Sequence, residues 1–192
     1  MNAFVETTLH NKIKNKTGGE HERLRNLLIE LDLFKNLEQY KKFTLAQYNF
    51  HCVVEDLFIE HDINELIPNI KCTERLITLR KDLEDLHIHP EGVSIKNTII
   101  SNRYEALGWL YVSEGSTLGA AMILKGVKSE YGLSENFGAR NLGEYPEGRA
   151  IYWANFTDGL NKLHLNLEEE KALINGVFSA FKTFGLMLEN LE

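Results

Sequence analysis

Along most of the chain apolar positions recur at intervals of three and four residues, the period of an amphipathic helix, and no convincing stretch shows the alternation of a half-buried strand. A short first helix, capped by Thr7 or Thr8, runs to about Lys16, where Thr17, Gly18 and Gly19 predict a break. A second helix, EHERLRNLLIEL, places His21, Leu24, Leu28 and Leu31 on one face, so His21 is expected to look inward. An aromatic-rich helix follows from about Asn36 to Ile63, carrying Tyr40, Phe43, Tyr48, Phe50, Leu57 and Phe58, and stops before Pro68. Further helical patterns cover roughly 73–86, ending at a turn in His89-Pro90-Glu91-Gly92, then 103–128, 149–164 and 167–191. The last has a core face of Leu173, Val177, Phe181, Phe184 and Leu188. The expectation is one all-α domain of six to eight helices over residues 1–192.

The helix from Arg103 to Lys128 is unusual because it is apolar yet carries Gly108, Gly115, Gly119 and Gly126. Each interior glycine costs about 1 kcal/mol relative to alanine. Steps of seven, four and seven return to nearly the same direction, so the four form one bare stripe. Such a stripe admits either another helix at close range or a flat, rigid ligand. Spacing alone leaves both open.

Composition narrows the partners. The chain is 43% hydrophobic and 26% charged, the balance of a folded globular protein, and its net charge of −7 argues against a general nucleic-acid binder. Lys12, Lys14 and Lys16 form a local basic cluster able to hold a small anion. Cys52 and Cys72 are too few for a disulfide framework and lack zinc spacing. With no apolar leader and no run of the ~18 residues needed to span a bilayer, a cytoplasmic protein without a membrane segment is expected.

Most familiar chemistries find no footing. Only one Glu-x-x-His is present, Glu84 to His87, where a di-iron bundle uses two. His87 and His89 beside Pro90 read as a solvated turn. The GSTLG text is not a nucleophile elbow, and no phosphate-binding glycine loop is seen. There remain an inward histidine on one helix and a smooth face on another. A neutral imidazole is a good axial ligand for heme iron, and a planar porphyrin needs a wall on each side.

The segment GWLYVSEGSTLGAAMILK resembles the distal-helix motif of heme oxygenases, in particular the bacterial biliverdin-producing type. KNKTGGEHERL, from Lys14 to Leu24, is similar to the family's proximal motif, in which a threonine, here Thr17, precedes the ligand histidine by four. NFGARNL, then Pro146-Glu147-Gly148-Arg149 and Trp153, also looks like the bacterial branch. The resemblance implies His21 as the iron ligand and Gly115 and Gly119 as the glycines approaching heme, which leaves Gly108 and Gly126 to helix packing. It further implies Lys14 and Tyr111 near the propionates, Lys125 at a basic position of the bacterial branch, and Phe181 lining the pocket from the last helix.

Heme would be both cofactor and substrate, with O2 as co-substrate, and the products biliverdin, CO and ferrous iron. Electrons would come from a ferredoxin or an NAD(P)H-dependent flavin reductase, and the resemblance favours a monomer. Where mammalian members carry an aspartate after the first distal glycine this chain has Ser116, expected to hold water in its place. Where many members carry a carboxylate four residues after the histidine it has Arg25. These departures motivate an alternative, a non-catalytic heme carrier or sensor on the same fold.

Overall fold

The computed structural model describes residues 7–70, 72–90, 100 and 102–190, with the side chains of Cys72 and Thr73 set aside. Among them are six α-helices: α1 (Leu9–Leu31), α2 (Leu37–Glu60), α3 (Cys72–Asp85), α4 (Arg103–Tyr131), α5 (Arg149–Asn161) and α6 (Leu167–Glu189). Two short 3-10 turns, Ile63–Glu65 and Arg140–Leu142, complete the order. The all-α expectation holds for this part of the chain. The turn residues Glu91 and Gly92, the Cys72 thiol and the terminal Leu191 lie outside the described residues.

Most helix ends are set by local chemistry. Thr8 caps α1 by accepting from the Asn11 amide, Asn36 caps α2, and Asn102 caps α4 by accepting from Tyr104 and Glu105. Asn166 and Glu169 form a reciprocal capping box on α6. Gly132, at φ 68°, ends α4 in the left-handed conformation.

One sequence expectation fails here. Residues 9–31 form a single helix, without the break at Gly18-Gly19. Thr17 is buried, and its hydroxyl donates to the Ile13 carbonyl one turn back at 2.9 Å, keeping its side chain inside the helix. The two glycines cost about 1 kcal/mol each. Docking of α1 on α6 and α5, with Ile13 and Leu24 buried, outweighs that penalty.

The core lies where α2, α4 and α6 meet. Trp109 of α4 is fully buried and stacks on Phe50 of α2 at 5.5 Å between centroids, and Phe50 also meets Phe184 of α6. All five residues of the anticipated α6 face are buried. The crossing of α4 on α6 is a backbone contact: a Cβ at Gly108 would overlap the Leu173 carbonyl oxygen and lie 2.6 Å from the Val177 nitrogen, while one at Gly176 would overlap the Glu105 carbonyl oxygen. A Cβ at Gly126 would run into the ring of Phe34.

The segment after α4 is pinned to α3 by two carboxylates. Asp82 accepts from the amides of Arg140 and Asn141 at 2.8 and 2.9 Å, and Asp85 accepts from the Gly138 amide at 2.8 Å. Arg140 pairs with both aspartates, and the Tyr40 hydroxyl donates to the Gly138 carbonyl at 3.0 Å. The resulting clamp fixes the loop that leads into α5.

Candidate functional site

Helices α1 and α4 both pack on α5 and α6 or their side chains, so a ligand held between the two motifs that carry the resemblance would have α1 as one wall and α4 as the other. On the α1 wall, His21 is exposed rather than inward-facing, with its ring edge against the buried ring of Phe181 of α6 at 5.9 Å between centroids. Periodicity placed His21 on the face of Leu24, and in the structure Leu24 is buried while His21 itself stays exposed beside Phe181. Lys14 is exposed one turn before the buried Thr17. Arg25 forms an ion pair with Glu22 at 2.6 Å, so the cation four residues past His21 is neutralised locally.

The α4 wall divides the glycine stripe. Gly108 and Gly126 are packing positions, as the resemblance implied. At Gly119 an added Cβ would meet nothing within 4 Å. At Gly115 it would come 3.3 Å from the ring of Trp153 on α5. Beside them Leu118 and Met122 are 47% and 75% exposed, an apolar surface that water does not favour. Lys125 is exposed one turn further on. Tyr111 is buried beneath Trp153 and Phe156, and burial pushes its phenol up to about 12. Its hydroxyl meets the Nδ1 of His10 at 3.1 Å.

Ser116 is held by a group that no sequence motif announced. Its hydroxyl donates to the Ser113 carbonyl at 2.6 Å and accepts from Arg75 of α3 at 3.0 Å. With its one proton committed, Ser116 can accept from a water but not donate to one. Arg75 is buried; it also donates to the Ser113 carbonyl at 2.6 Å and to Asn141 at 3.2 Å, and Asn141 in turn donates to Gln47 of α2 at 3.1 Å. His51 sits against Ser113 at 3.5 Å, and burial followed by the Arg75 charge holds it far below the usual histidine range, hence neutral. The signal available in the sequence was a polar interruption of an apolar face: Arg75 and Asp82 share the α3 stripe of Leu79, Leu83 and Leu86.

Glu114, immediately before Gly115, is fully buried, and no hydrogen bond of good geometry reaches either oxygen. Burial raises its carboxyl to about 7, against the opposing pull of the Arg75 charge and the Tyr152 hydroxyl. It stands behind the slot wall as a second titratable group that pattern reading did not single out.

The arrangement fits a flat porphyrin. It offers an exposed imidazole braced by Phe181, a facing backbone surface open at Gly119, apolar flanks at Leu118 and Met122, and lysines at Lys14 and Lys125 for carboxylates. Among the described residues no cluster of three or more His, Cys, Asp or Glu could hold a bare metal ion, and no helix is long and apolar enough to cross a membrane.

Comparison with known proteins shows the family. The sequence profile of heme oxygenase matches residues 7–190, and the chain belongs to the heme oxygenase family. Heme oxygenase PigA of Pseudomonas aeruginosa is 39% identical over 174 residues, covering 90% of this chain and 87% of that protein. The NO- and CO-bound heme oxygenase of Neisseria meningitidis superposes with a TM-score of 0.87 at 32% identity, over 96% of this chain and 92% of the other. The heme oxygenase of Leptospira interrogans, at 16% identity and a TM-score of 0.76, shares the fold over 96% of this chain and 100% of its own. Family and relative together support heme oxygenase activity, with heme as the substrate.

Proposed function

We propose that the chain binds heme between α1 and α4 and cleaves it with O2 to biliverdin, CO and ferrous iron, through the residues of this slot. The observation that carries the placement is Gly119, whose missing side chain opens onto unfilled space while Gly108 and Gly126 of the same stripe are packed. Bound heme supplies the iron at which O2 is reduced and the ring carbon that is oxidised. His21 holds the iron from the α1 side, with Phe181 limiting rotation of its imidazole. Gly115 and Gly119 let the α4 backbone approach where any side chain would exclude O2. Ser116 anchors water through its free lone pair, its orientation set by Arg75 and Ser113. Lys14, Tyr111 and Lys125 receive the propionates, and Thr17 acts from inside α1 by fixing the turn before His21.

A ferredoxin or flavin reductase supplies electrons, and the chain works as a cytoplasmic monomer. The two features that motivated a heme carrier or sensor carry less weight in the fold: Arg25 is paired with Glu22, and Ser116 is integrated in a hydrogen-bonded array. The test is an aerobic turnover. Purified protein mixed with hemin and a reductant should lose its Soret band and yield biliverdin. A stable Soret band under those conditions would establish the carrier instead, and no complex at all would overturn the heme site.

A further inference from the structure

The first turn of α1 holds a histidine that the slot, as described so far, does not use. The Nδ1 of His10 lies 3.1 Å from the Tyr111 hydroxyl, and its ring packs on Tyr111 and edge-on against Trp153, at 5.9 and 5.7 Å between centroids. Its backbone amide donates to Asn161 at the end of α5 at 2.9 Å, which fixes this turn in place. Three helices therefore converge on one imidazole, and Trp153 carries the contact on to Gly115.

We propose that His10 is the positioning residue for the Tyr111 hydroxyl, and that its protonation decides whether that hydroxyl can donate to a carboxylate bound at this end of the slot. The proposal rests on the heme reading, whose propionates are the carboxylates meant. With His10 neutral as its Nε2–H tautomer, Nδ1 accepts a hydrogen bond from the phenol, and Tyr111 presents only lone pairs to an incoming carboxylate. With His10 protonated, Nδ1 donates to the phenol oxygen, the phenol proton is released for the carboxylate, and a second positive charge stands beside Lys14. One proton taken up at His10 thus strengthens carboxylate binding, and by linkage carboxylate binding raises the proton affinity of His10.

The surroundings favour the neutral form before the ligand arrives: burial and then the Lys14 charge lower the imidazole below its usual range. The other charges nearby are turned elsewhere. Lys12 and Lys16 of α1 face Glu170 of α6 at 2.8 and 3.9 Å, and α5 contributes the neutral Trp153 and Asn161. Tyr111 itself stays protonated throughout, since burial holds it at about 12.

The test is the ratio of hemin dissociation constants for His10→Phe and the unmodified chain, from equilibrium titrations of the Soret band at pH 8 and pH 5.5; a ratio cancels every pH effect common to both. The unmodified chain should gain about tenfold over the variant as pH falls, the equivalent of about one pK unit at His10. His10→Asn, polar and non-titrating, should behave as His10→Phe does, which guards against a folding defect in either. In the ligand-free chain, Tyr111→Phe should displace the His10 titration followed by NMR. A flat ratio with an intact Soret complex, or a His10 titration unmoved by Tyr111→Phe, overturns the proposal and leaves the heme reading standing. Absence of any Soret complex in the unmodified chain overturns both.

Discussion

At the scale of single residues, function depends on groups that protein leaves half-finished. His21 has an aromatic brace in Phe181 and is otherwise exposed. His21→Ala should remove the axial histidine, shifting the electronic spectrum of the heme complex, and added imidazole should restore it; an unchanged spectrum would mean that another residue ligates. Glu114 is the opposite case, a carboxyl enclosed so fully that burial outweighs the Arg75 charge and the Tyr152 hydroxyl. Its folded value near 7 exceeds the ordinary 4.5, so the stability it contributes is fully present below pH 4.5 and lost as pH rises through about 7. Glu114→Gln should therefore match the parent in thermal unfolding at pH 4.5 and exceed it by up to about 3 kcal/mol at pH 8. Equal gaps at both pH values would assign the titration elsewhere. Spacing and motif text singled out His21, Gly115 and Gly119 as candidates. They did not single out Arg75, His10 or Glu114, because such polar groups are recognised by their neighbours in space, and those lie on other helices.

At the scale of elements, the glycine stripe of α4 performs two tasks, and one substitution at two positions separates them. Gly108→Ala puts a methyl into the backbone of α6 and should cost roughly 1–3 kcal/mol, the usual penalty of overpacking, read as a lowered unfolding temperature. Gly119→Ala meets no atom and should stabilise the ligand-free chain by about 1 kcal/mol through helix propensity alone, while impairing heme turnover. A loss of stability at Gly119 would return that position to packing. The same reasoning explains why α1 is continuous where Gly18 and Gly19 predicted a break. Propensity is a local term, whereas docking of the whole helix is a sum over its length, and the sum prevails. The core face of α6 was legible because it repeats over about four turns, a signal that no single residue can cancel.

At the scale of the whole molecule, both walls of the slot rest on a shared support: Phe181 of α6 under His21, and Trp153 of α5 between Gly115 and His10. A site assembled from four helices is coupled to global folding. Hemin at a hundred times its dissociation constant should raise stability by about 3 kcal/mol, and His21→Ala should lose most of that gain. An equal gain in the variant would point to non-specific adsorption. The all-α architecture could be foreseen from periodicity, and the slot from the resemblance of its two motifs. The clamp of Asp82 and Asp85 on residues 138–141 could not, since it joins a helix to a distant loop whose sequence has no period.

The glycine contacts also make α4 a beam held near both ends. Gly108 is seated on α6, Gly126 lies under Phe34, and the eighteen helical steps from one to the other span about 27 Å. Midspan is tied as well: Arg75 of α3 donates to the Ser113 carbonyl and to the Ser116 hydroxyl, and Trp153 of α5 lies against Gly115. The helix is therefore pinned at the level of Gly115 and carries its open surface one turn further on, at Gly119.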